Sequence, residues 1–86
     1  MSESEIFKAL SDPTRLKILD LVKDHERCIC EIIPYTGKSQ PTISQHLKIL
    51  RNAHLIKEHK KGTNVWISAA DNQIYTIINV IREMNK

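Results

Sequence analysis

The sequence predicts a mainly α (α+β) fold with about five helices and a two-stranded β-hairpin. Apolar residues recur at helical spacing over most of the chain, and one short alternating segment lies between the fourth and fifth helical patterns. The chain has 86 residues, of which 41% are hydrophobic and 27% charged, so we expect one soluble domain over residues 1–86. A large enzyme with an enclosed pocket is excluded at this size. A domain of this size buries only ~60% of its unfolded surface, so oligomerisation is a natural supplement to its stability.

The first two helices are separated by the sequence Ser11-Asp12-Pro13. A short amphipathic helical turn ends before it, at Leu10. We expect Ser11 or Asp12 to cap the second helix, with Pro13 at its first position, where the missing N–H costs nothing. This helix is predicted to extend to about Lys23 and is apolar on more than one side, which is typical of a helix packed between others.

A helix-turn-helix pattern follows. The third helix is predicted over Cys28–Ile33, with a break near Pro34 and a tight turn centred on Gly37. Ser39 is predicted to cap a fourth helix over about 40–52. Apolar residues repeat in this helix at the spacing of a single inward face: Ile43, Leu47 and Leu50.

The segment from about residue 55 to residue 68 is predicted to form a wing. Two extended stretches, about 55–60 and 64–68, are joined through Lys61-Gly62-Thr63, and the second alternates between apolar and polar residues. A basic hairpin after a helix-turn-helix is the arrangement of a winged helix-turn-helix domain.

The C-terminal segment is predicted to be a helix over 72–85, capped by Asp71 or Asn72. Its apolar residues span an arc of ~160°, which is wider than packing on one small core requires. A second copy of the chain would cover the excess, so we expect a homodimer through this helix. The predicted interface residues are Ile74, Ile77, Ile78, Ile81 and Met84.

The positive charge lies in the middle of the chain. Residues 37–61 contain six Lys or Arg and one Glu, whereas residues 1–36 carry a net charge of −2 and residues 62–86 are neutral. Such a compact basic segment is typical of a surface that binds nucleic acid. Charge alone leaves open a solvated basic surface without a partner.

The outward face of the fourth helix predicts contacts to double-stranded DNA. Glutamine can make paired hydrogen bonds to adenine, and serine or threonine can contact bases or phosphates. We expect the sequence to be read by Gln40, Thr42, Ser44 and Gln45. We expect the DNA backbone to be held by Lys38, Lys48, Lys60 and Lys61, with Ser39 acting both as cap and as phosphate contact. His46 is predicted to pack, and Arg51 to pair with an acid.

Four stretches of the chain resemble the ArsR/SmtB family of winged-helix transcriptional repressors. The four stretches are FKALSDPTRLKIL, which starts at Phe7, CICEI, which starts at Cys28, SQPTISQHLKILR, which starts at Ser39, and AHLIK, which starts at Ala53. The resemblance implies a dimeric repressor that binds a palindromic operator and releases it on sensing a ligand. It also implies that Cys28 and Cys30 supply thiolates to a thiophilic metal or metalloid ion.

The residues themselves leave the role of this cysteine pair open. Side chains two positions apart on a regular helix point ~200° apart, so joint ligation requires a distorted helix start. Thiolate sites use three or four ligands, and the chain has no third cysteine, although His25 would add one donor. The alternatives are that Cys28 and Cys30 are small buried hydrophobic residues or form a disulfide on oxidation.

Two other function classes are weighed. The domain would serve as a protein–protein interaction module if its basic face bound no DNA. An enzyme such as a thiol oxidoreductase is disfavoured, because no acid–base pair or phosphate-binding glycine loop accompanies the cysteines. The start of the sequence lacks the pattern of a secretory signal, and no apolar run approaches the ~20 residues of a membrane span. We therefore expect a cytoplasmic protein without membrane contact.

Overall fold

The computed structural model describes residues 2–86, which form five helices and one three-stranded antiparallel sheet. The helices are α1 (Glu3–Leu10), α2 (Pro13–Leu21), α3 (Ile29–Thr36), α4 (Gln40–Asn52) and α5 (Gln73–Met84). The strands are β1 (Arg27–Cys28), β2 (Ile56–Lys61) and β3 (Asn64–Ala69). The predicted fold class, a winged helix-turn-helix of mainly helical content, is confirmed.

The junction between α1 and α2 is built by three polar or rigid residues. The Asp12 carboxylate accepts hydrogen bonds from the backbone N–H groups of Thr14 and Arg15, at 2.8 and 3.1 Å, and Pro13 occupies the first turn of α2. Asp12 is therefore the cap of α2, whereas Ser11 closes α1 by donating its hydroxyl to the Lys8 carbonyl at 2.7 Å. These bonds and the nearby positive charges lower the pKa of Asp12, although its burial acts in the opposite direction.

The third helix differs from the prediction at both ends. It begins at Ile29, because Cys28 belongs to β1 and caps the helix in an extended conformation. It does not break at Pro34 but continues to Thr36 and ends at Gly37, whose φ of 70° is left-handed. Proline removes one helical hydrogen bond, but the turn is retained because Ile32 is completely buried on the inner side of α3.

The predicted two-stranded hairpin is present as β2 and β3, and the short strand β1 adds a third strand to it. Its strand order is β1-β3-β2, and the β2–β3 turn contains Gly62 at a φ of 63°. In β1, Arg27 is opposite Ile67 and Cys28 is opposite Trp66. The strand that precedes α3 thus fixes the base of the wing.

The core lies where α2, α3 and α4 pack against the sheet, and α5 closes it from one side. Tyr75 of α5 is buried and donates its hydroxyl to the Leu19 carbonyl of α2 at 2.6 Å. Ile74 and Ile78 are 7% and 5% exposed, so these two predicted dimer-interface residues pack within their own protomer. None of the helices among residues 2–86 has the length and apolar character to cross a membrane.

Candidate nucleic-acid interface

Helix α4 has one buried and one exposed face. Ile43, Leu47 and Leu50 are at most 1% exposed, as the sequence predicts. The Ser39 hydroxyl accepts a hydrogen bond from the backbone N–H of Thr42 at 3.4 Å and donates one to the Thr42 hydroxyl at 3.0 Å. This cap fixes the start of α4. Pro41 has no N–H and Ile43 donates to the Ser39 carbonyl, so the Gln40 N–H is the first-turn donor left for an anion among the described residues.

The predicted base-reading residues are exposed along the first two turns of α4, and Ser44 and Gln45 line the same groove. All four side chains are accessible to solvent: Gln40, Thr42, Ser44 and Gln45. Lys48 is exposed on the next turn, and Lys38 is exposed just before the helix. Neither lysine makes a salt bridge within residues 2–86, so both charges remain available for phosphate groups.

A groove separates α4 from the wing. Ser44, Gln45 and Lys48 form its helical side, and Val65 of β3 and Glu58 of β2 form its opposite side. The wing and the predicted reading face of α4 therefore border the same surface. If α4 entered the major groove of DNA, the protein groove between α4 and the wing would lie over the flanking DNA backbone.

The two neighbouring lysines of the wing lie on opposite faces of the hairpin. Lys60 is opposite Val65 in the β2–β3 ladder. Paired residues in a ladder share a face of the sheet, so Lys60 is on the side of α4. Lys61 and His59 alternate with it and lie on the other face, where His59 is opposite Trp66.

The far face of the wing is occupied by an intramolecular ion cluster, which we call the Glu26 cluster: Glu26, His59, Lys61 and Trp66. The Glu26 carboxylate accepts a hydrogen bond from the Lys61 ammonium and lies 3.0 Å from His59 Nε2. The Lys61 Nζ atom is 5.0 Å from the centroid of the Trp66 ring. The hydrogen bond from Lys61 lowers the pKa of Glu26, with desolvation acting in the opposite direction. Lys61, one of the predicted phosphate contacts, thus has an acidic partner in the free protein.

His46 and Arg51 have the structural roles that the sequence predicts. His46 is half-buried on α4, and its Nδ1 atom is 3.0 Å from the Arg15 guanidinium. Arg51 pairs with Glu58 at 2.8 Å. Arg15, which the sequence analysis did not single out, also donates to the Ala9 carbonyl at 2.7 Å and thereby ties α1 to α4. No local pattern marks this role, because its partners lie on two other helices.

The cysteine pair lies at the junction of β1 and α3, where the two sulfur atoms are joined in a disulfide. Cys28 precedes the helix with φ −68° and ψ 145°, and Cys30 is in the first helical turn, so the Cα atoms are 5.0 Å apart. The extended cap conformation removes the ~200° separation expected on a regular helix. Cys28 is buried and Cys30 is exposed, so only one of them fits the interpretation as a buried hydrophobic residue.

The residues around this pair do not complete a metal site. Across residues 2–86, no three His, Cys, Asp or Glu side chains are grouped so that they would hold one metal ion. The expectation that His25 joins the cysteines is therefore not met; His25 is exposed in the loop before β1. Two sulfurs from one protomer are fewer than the three or four ligands that thiophilic ions take.

Comparison with known proteins shows which family the chain belongs to. The family model described as "Bacterial regulatory protein, arsR family" matches residues 12–58, which extend from the cap of α2 into the wing. The chain belongs to the arsR family of bacterial regulatory proteins. This arsR-family protein is accordingly a DNA-binding transcriptional regulator and not an enzyme.

Two relatives and one solved structure illustrate the similarity. The uncharacterized HTH-type transcriptional regulator MJ1325 of Methanocaldococcus jannaschii is 44% identical over 82 residues, covering 94% of this chain and 92% of that protein. The transcriptional repressor SdpR of Bacillus subtilis is 41% identical over 76 residues, with 88% and 84% covered. The homodimeric winged helix-turn-helix DNA-binding domain of Mb0332 from Mycobacterium bovis, a possible ArsR-family regulator, superimposes with a TM-score of 0.85 at 27% identity, covering 95% and 79%.

The arsR-family regulator also has an apolar surface that its own core does not use. Four side chains of α5 form one stripe and are between 44% and 77% exposed: Ile77, Val80, Ile81 and Met84. Val80 belongs to this stripe although the sequence-based interface omits it. Of the five predicted dimer-interface residues, Ile74 and Ile78 therefore face the core, while Ile77, Ile81 and Met84 face outward.

Proposed function

We propose that this arsR-family regulator is a homodimeric repressor that acts in the cytoplasm and binds a palindromic operator. In each half-site, α4 enters the major groove and the Lys60 face of the wing contacts the adjacent backbone. The observation that carries the proposal is the shared groove, with Ser44, Gln45 and Lys48 on one side and the wing on the other. The net positive charge of residues 37–61 supplies the long-range attraction to DNA.

Each predicted contact has a distinct task in this proposal. Gln40 and Gln45 read base edges, and Thr42 and Ser44 contact bases or phosphates from the flanks of α4. Ser39 caps the helix, and the Gln40 N–H of its first turn faces a phosphate. The backbone is held by Lys38, Lys48, Lys60 and, once it leaves Glu26, Lys61.

The dimer is supported by the exposed apolar stripe of α5 (Ile77, Val80, Ile81 and Met84). Pairing of two such stripes about a twofold axis would bury them, and in the proposed assembly both copies of α4 face the same DNA duplex. Twofold symmetry in the protein requires a palindrome in the DNA, with half-site centres about one helical turn, ~34 Å, or a multiple apart. The homodimeric Mycobacterium bovis domain and the B. subtilis repressor provide the analogy for dimerisation and repression.

The proposal is tested by selecting binding sites from random duplexes with the purified protein. We expect an enriched palindrome, a dimer by sedimentation, and an affinity that falls linearly with the logarithm of salt concentration. Lys48→Ala should reduce the salt slope by about 0.9 per lost phosphate contact, while Lys86→Ala, whose lysine pairs with Glu83 at the end of α5, should not. Binding that is insensitive to salt would instead favour a protein–protein interaction module.

We also propose that the Cys28–Cys30 pair gives the regulator its response to a signal, as a dithiol that oxidants convert to the disulfide. With hydrogen peroxide, the S–S bond forms, and the two thiol protons and two electrons pass to the peroxide, whose O–O bond breaks to give two waters. The distance of 5.0 Å between the Cα atoms of Cys28 and Cys30 supports this role. So does their position, because both cysteines border a surface depression that also includes Gln40 of α4 and Thr63 of the wing turn.

Mass spectrometry and operator binding test the sensing role together. Peroxide should remove the mass of two hydrogens from the reduced protein and weaken operator binding, and a dithiol reductant should reverse both effects. Cys28→Ser/Cys30→Ser should bind the operator in both conditions, and Cys30→Ser alone separates loss of the disulfide from loss of the buried Cys28 thiol. Equal release of the parent and the double variant by peroxide would contradict the role, and titration of the reduced protein with a thiophilic metal ion tests the alternative signal.

A further inference from the structure

The Glu26 cluster places an acidic side chain against Lys61, one of the lysines proposed above to bind DNA phosphate. Each oxygen of the Glu26 carboxylate has one basic partner from β2: Oε1 is bound by the Lys61 ammonium, and Oε2 lies 3.0 Å from His59 Nε2. A phosphodiester group likewise presents two negatively charged oxygens to basic side chains. The wing cations on this face therefore already have a ligand of the same charge and similar geometry as the DNA backbone.

The cluster is open to solvent, so its ligand can be exchanged. The side chains of Lys61 and His59 are 53% and 45% exposed, and that of Glu26 is 32% exposed. Ion pairs at such exposed positions contribute little to folding stability. The pair is thus poorly explained as a support of the fold, and exchange of Glu26 for a phosphate requires no rearrangement of the core.

We propose that Glu26 restrains the affinity of this regulator for DNA: it competes with DNA phosphate for Lys61 and His59 and so weakens the binding of every DNA sequence. Phosphate contacts strengthen binding to every DNA sequence alike. Pairing of Lys61 and His59 within the protein lowers the affinity for operator and random DNA alike, while the base contacts of α4 are unaffected. The ratio of the two affinities is therefore the same with Glu26 as without it.

The two faces of the wing supply an internal comparison. Lys60 lies on the α4 side and makes no salt bridge within residues 2–86, whereas its neighbour Lys61 is paired with Glu26. In the parent protein Lys60 should thus contribute more to DNA affinity than Lys61. Removal of Glu26 should make the two lysines more nearly equal.

The test uses the full chain and a labelled random-sequence DNA duplex over a series of salt concentrations. Glu26→Gln should bind this duplex more tightly than the parent, with a salt slope steeper by about 0.9 for each cation that gains a phosphate. Asp24→Asn is the matched control, because it removes the same charge from the same loop, and Asp24 forms no salt bridge among the described residues. Its salt slope should equal that of the parent.

A double-mutant cycle identifies the cation involved. Lys61→Ala should reduce the affinity and salt slope more strongly in the Glu26→Gln background than in the parent, whereas Lys60→Ala should have the same effect in both backgrounds. The ratio of operator to random-duplex affinity should stay close to that of the parent in Glu26→Gln, because phosphate contacts carry no sequence information. Thermal unfolding of each variant should remain close to that of the parent, which excludes misfolding as the cause.

Competition by Glu26 rests on the proposed docking of the wing on DNA, and different results would contradict the competition and the docking. Unchanged or weaker binding of random DNA by Glu26→Gln, or equal effects of Lys61→Ala in both backgrounds, overturns the competition by Glu26. A parent-like salt slope in both Lys48→Ala and Lys60→Ala overturns the proposed DNA interface itself.

Discussion

Helices α4 and α5 have similar lengths, and each contributes three buried side chains to the same core, yet their outward faces differ completely. The exposed face of α4 consists of polar and basic residues. The corresponding surface of α5 is an apolar stripe beside a polar edge formed by Thr76, Asn79 and Glu83. Both helices are amphipathic in sequence, but only α4 has hydrogen-bonding side chains where an external partner would meet it.

This difference shows that the side chains on the outward face of a helix can vary independently of those on its buried face. The inner residues of α4 and α5 are all aliphatic or aromatic, because they fill the same core. The outer residues determine which partner can be bound: hydrogen-bonding and cationic groups suit DNA, whereas desolvated aliphatic groups suit another protein surface. The proposed functions of the two helices follow from this outer chemistry.

The largest effect is expected from a charge placed on the outward face of α5. Ile81→Glu should prevent dimerisation, because an unpaired carboxylate would be buried between the two copies. Loss of the link between two half-sites should lower the operator affinity by roughly 100- to 10,000-fold. Sedimentation and operator binding measure both effects. Asn79→Glu, on the polar edge of the same helix, is the control, and a dimeric Ile81→Glu variant would contradict the assignment of the stripe.

The buried faces of the two helices should respond alike to truncation. Leu50→Ala in α4 and Ile78→Ala in α5 each remove a side chain that is at most 5% exposed. Each should lower the free energy of unfolding by about 2–5 kcal/mol. Urea denaturation at one fixed protein concentration measures this loss, since dimerisation contributes to apparent stability. A loss below about 1 kcal/mol for Ile78→Ala alone would mean that α5 does not complete the core.

The outward face of α4 should separate sequence reading from backbone attraction. Gln45→Ala should reduce the discrimination between the selected operator and a base-substituted operator by about 1–3 kcal/mol. Lys48→Ala should weaken binding to both duplexes equally, because a phosphate contact carries no sequence information. Competition binding with the two duplexes distinguishes these outcomes. Uniform weakening by Gln45→Ala would show that this glutamine contacts the backbone instead.

The smallest expected difference concerns how the two helices begin. The Ser39 side chain caps α4, whereas the Asn72 side chain makes no capping hydrogen bond to α5; there the Asp71 carboxylate accepts from the Gln73 N–H at 2.8 Å. Ser39→Ala should cost about 1 kcal/mol of folding stability, and Asn72→Ala should cost much less. Thermal unfolding compares the two, and an equal loss would contradict the capping geometry.

Local patterns were sufficient for α4 and for the position of the hairpin. The cap at Ser39, the spacing of Ile43, Leu47 and Leu50, and the glycine in the turn all act over a few residues. These features are properties of the chain before it folds, so the sequence predicted the bounds of α4 and the exposed side chains that form the candidate DNA interface.

Longer-range features could not be predicted. Strand β1 has only two residues, too few for an alternating pattern, and exists because β3 provides a partner. The pairing of Lys61 with Glu26 joins residues 35 positions apart. The continuation of α3 through Pro34 depends on the core that holds Ile32, since local propensity opposes a proline there.

The sequence by itself determined the family, the order of the main elements and the placement of positive charge around α4. Helix caps, apolar periods and charge runs are encoded by neighbouring residues, and these signals agree along the chain. Only the tertiary structure decided which apolar residues of α5 remain outside the core, which face of the wing each lysine occupies, and how Cys28 meets Cys30. These outcomes depend on which surfaces are already filled by distant segments, and burial is a property of the packed chain rather than of any local pattern.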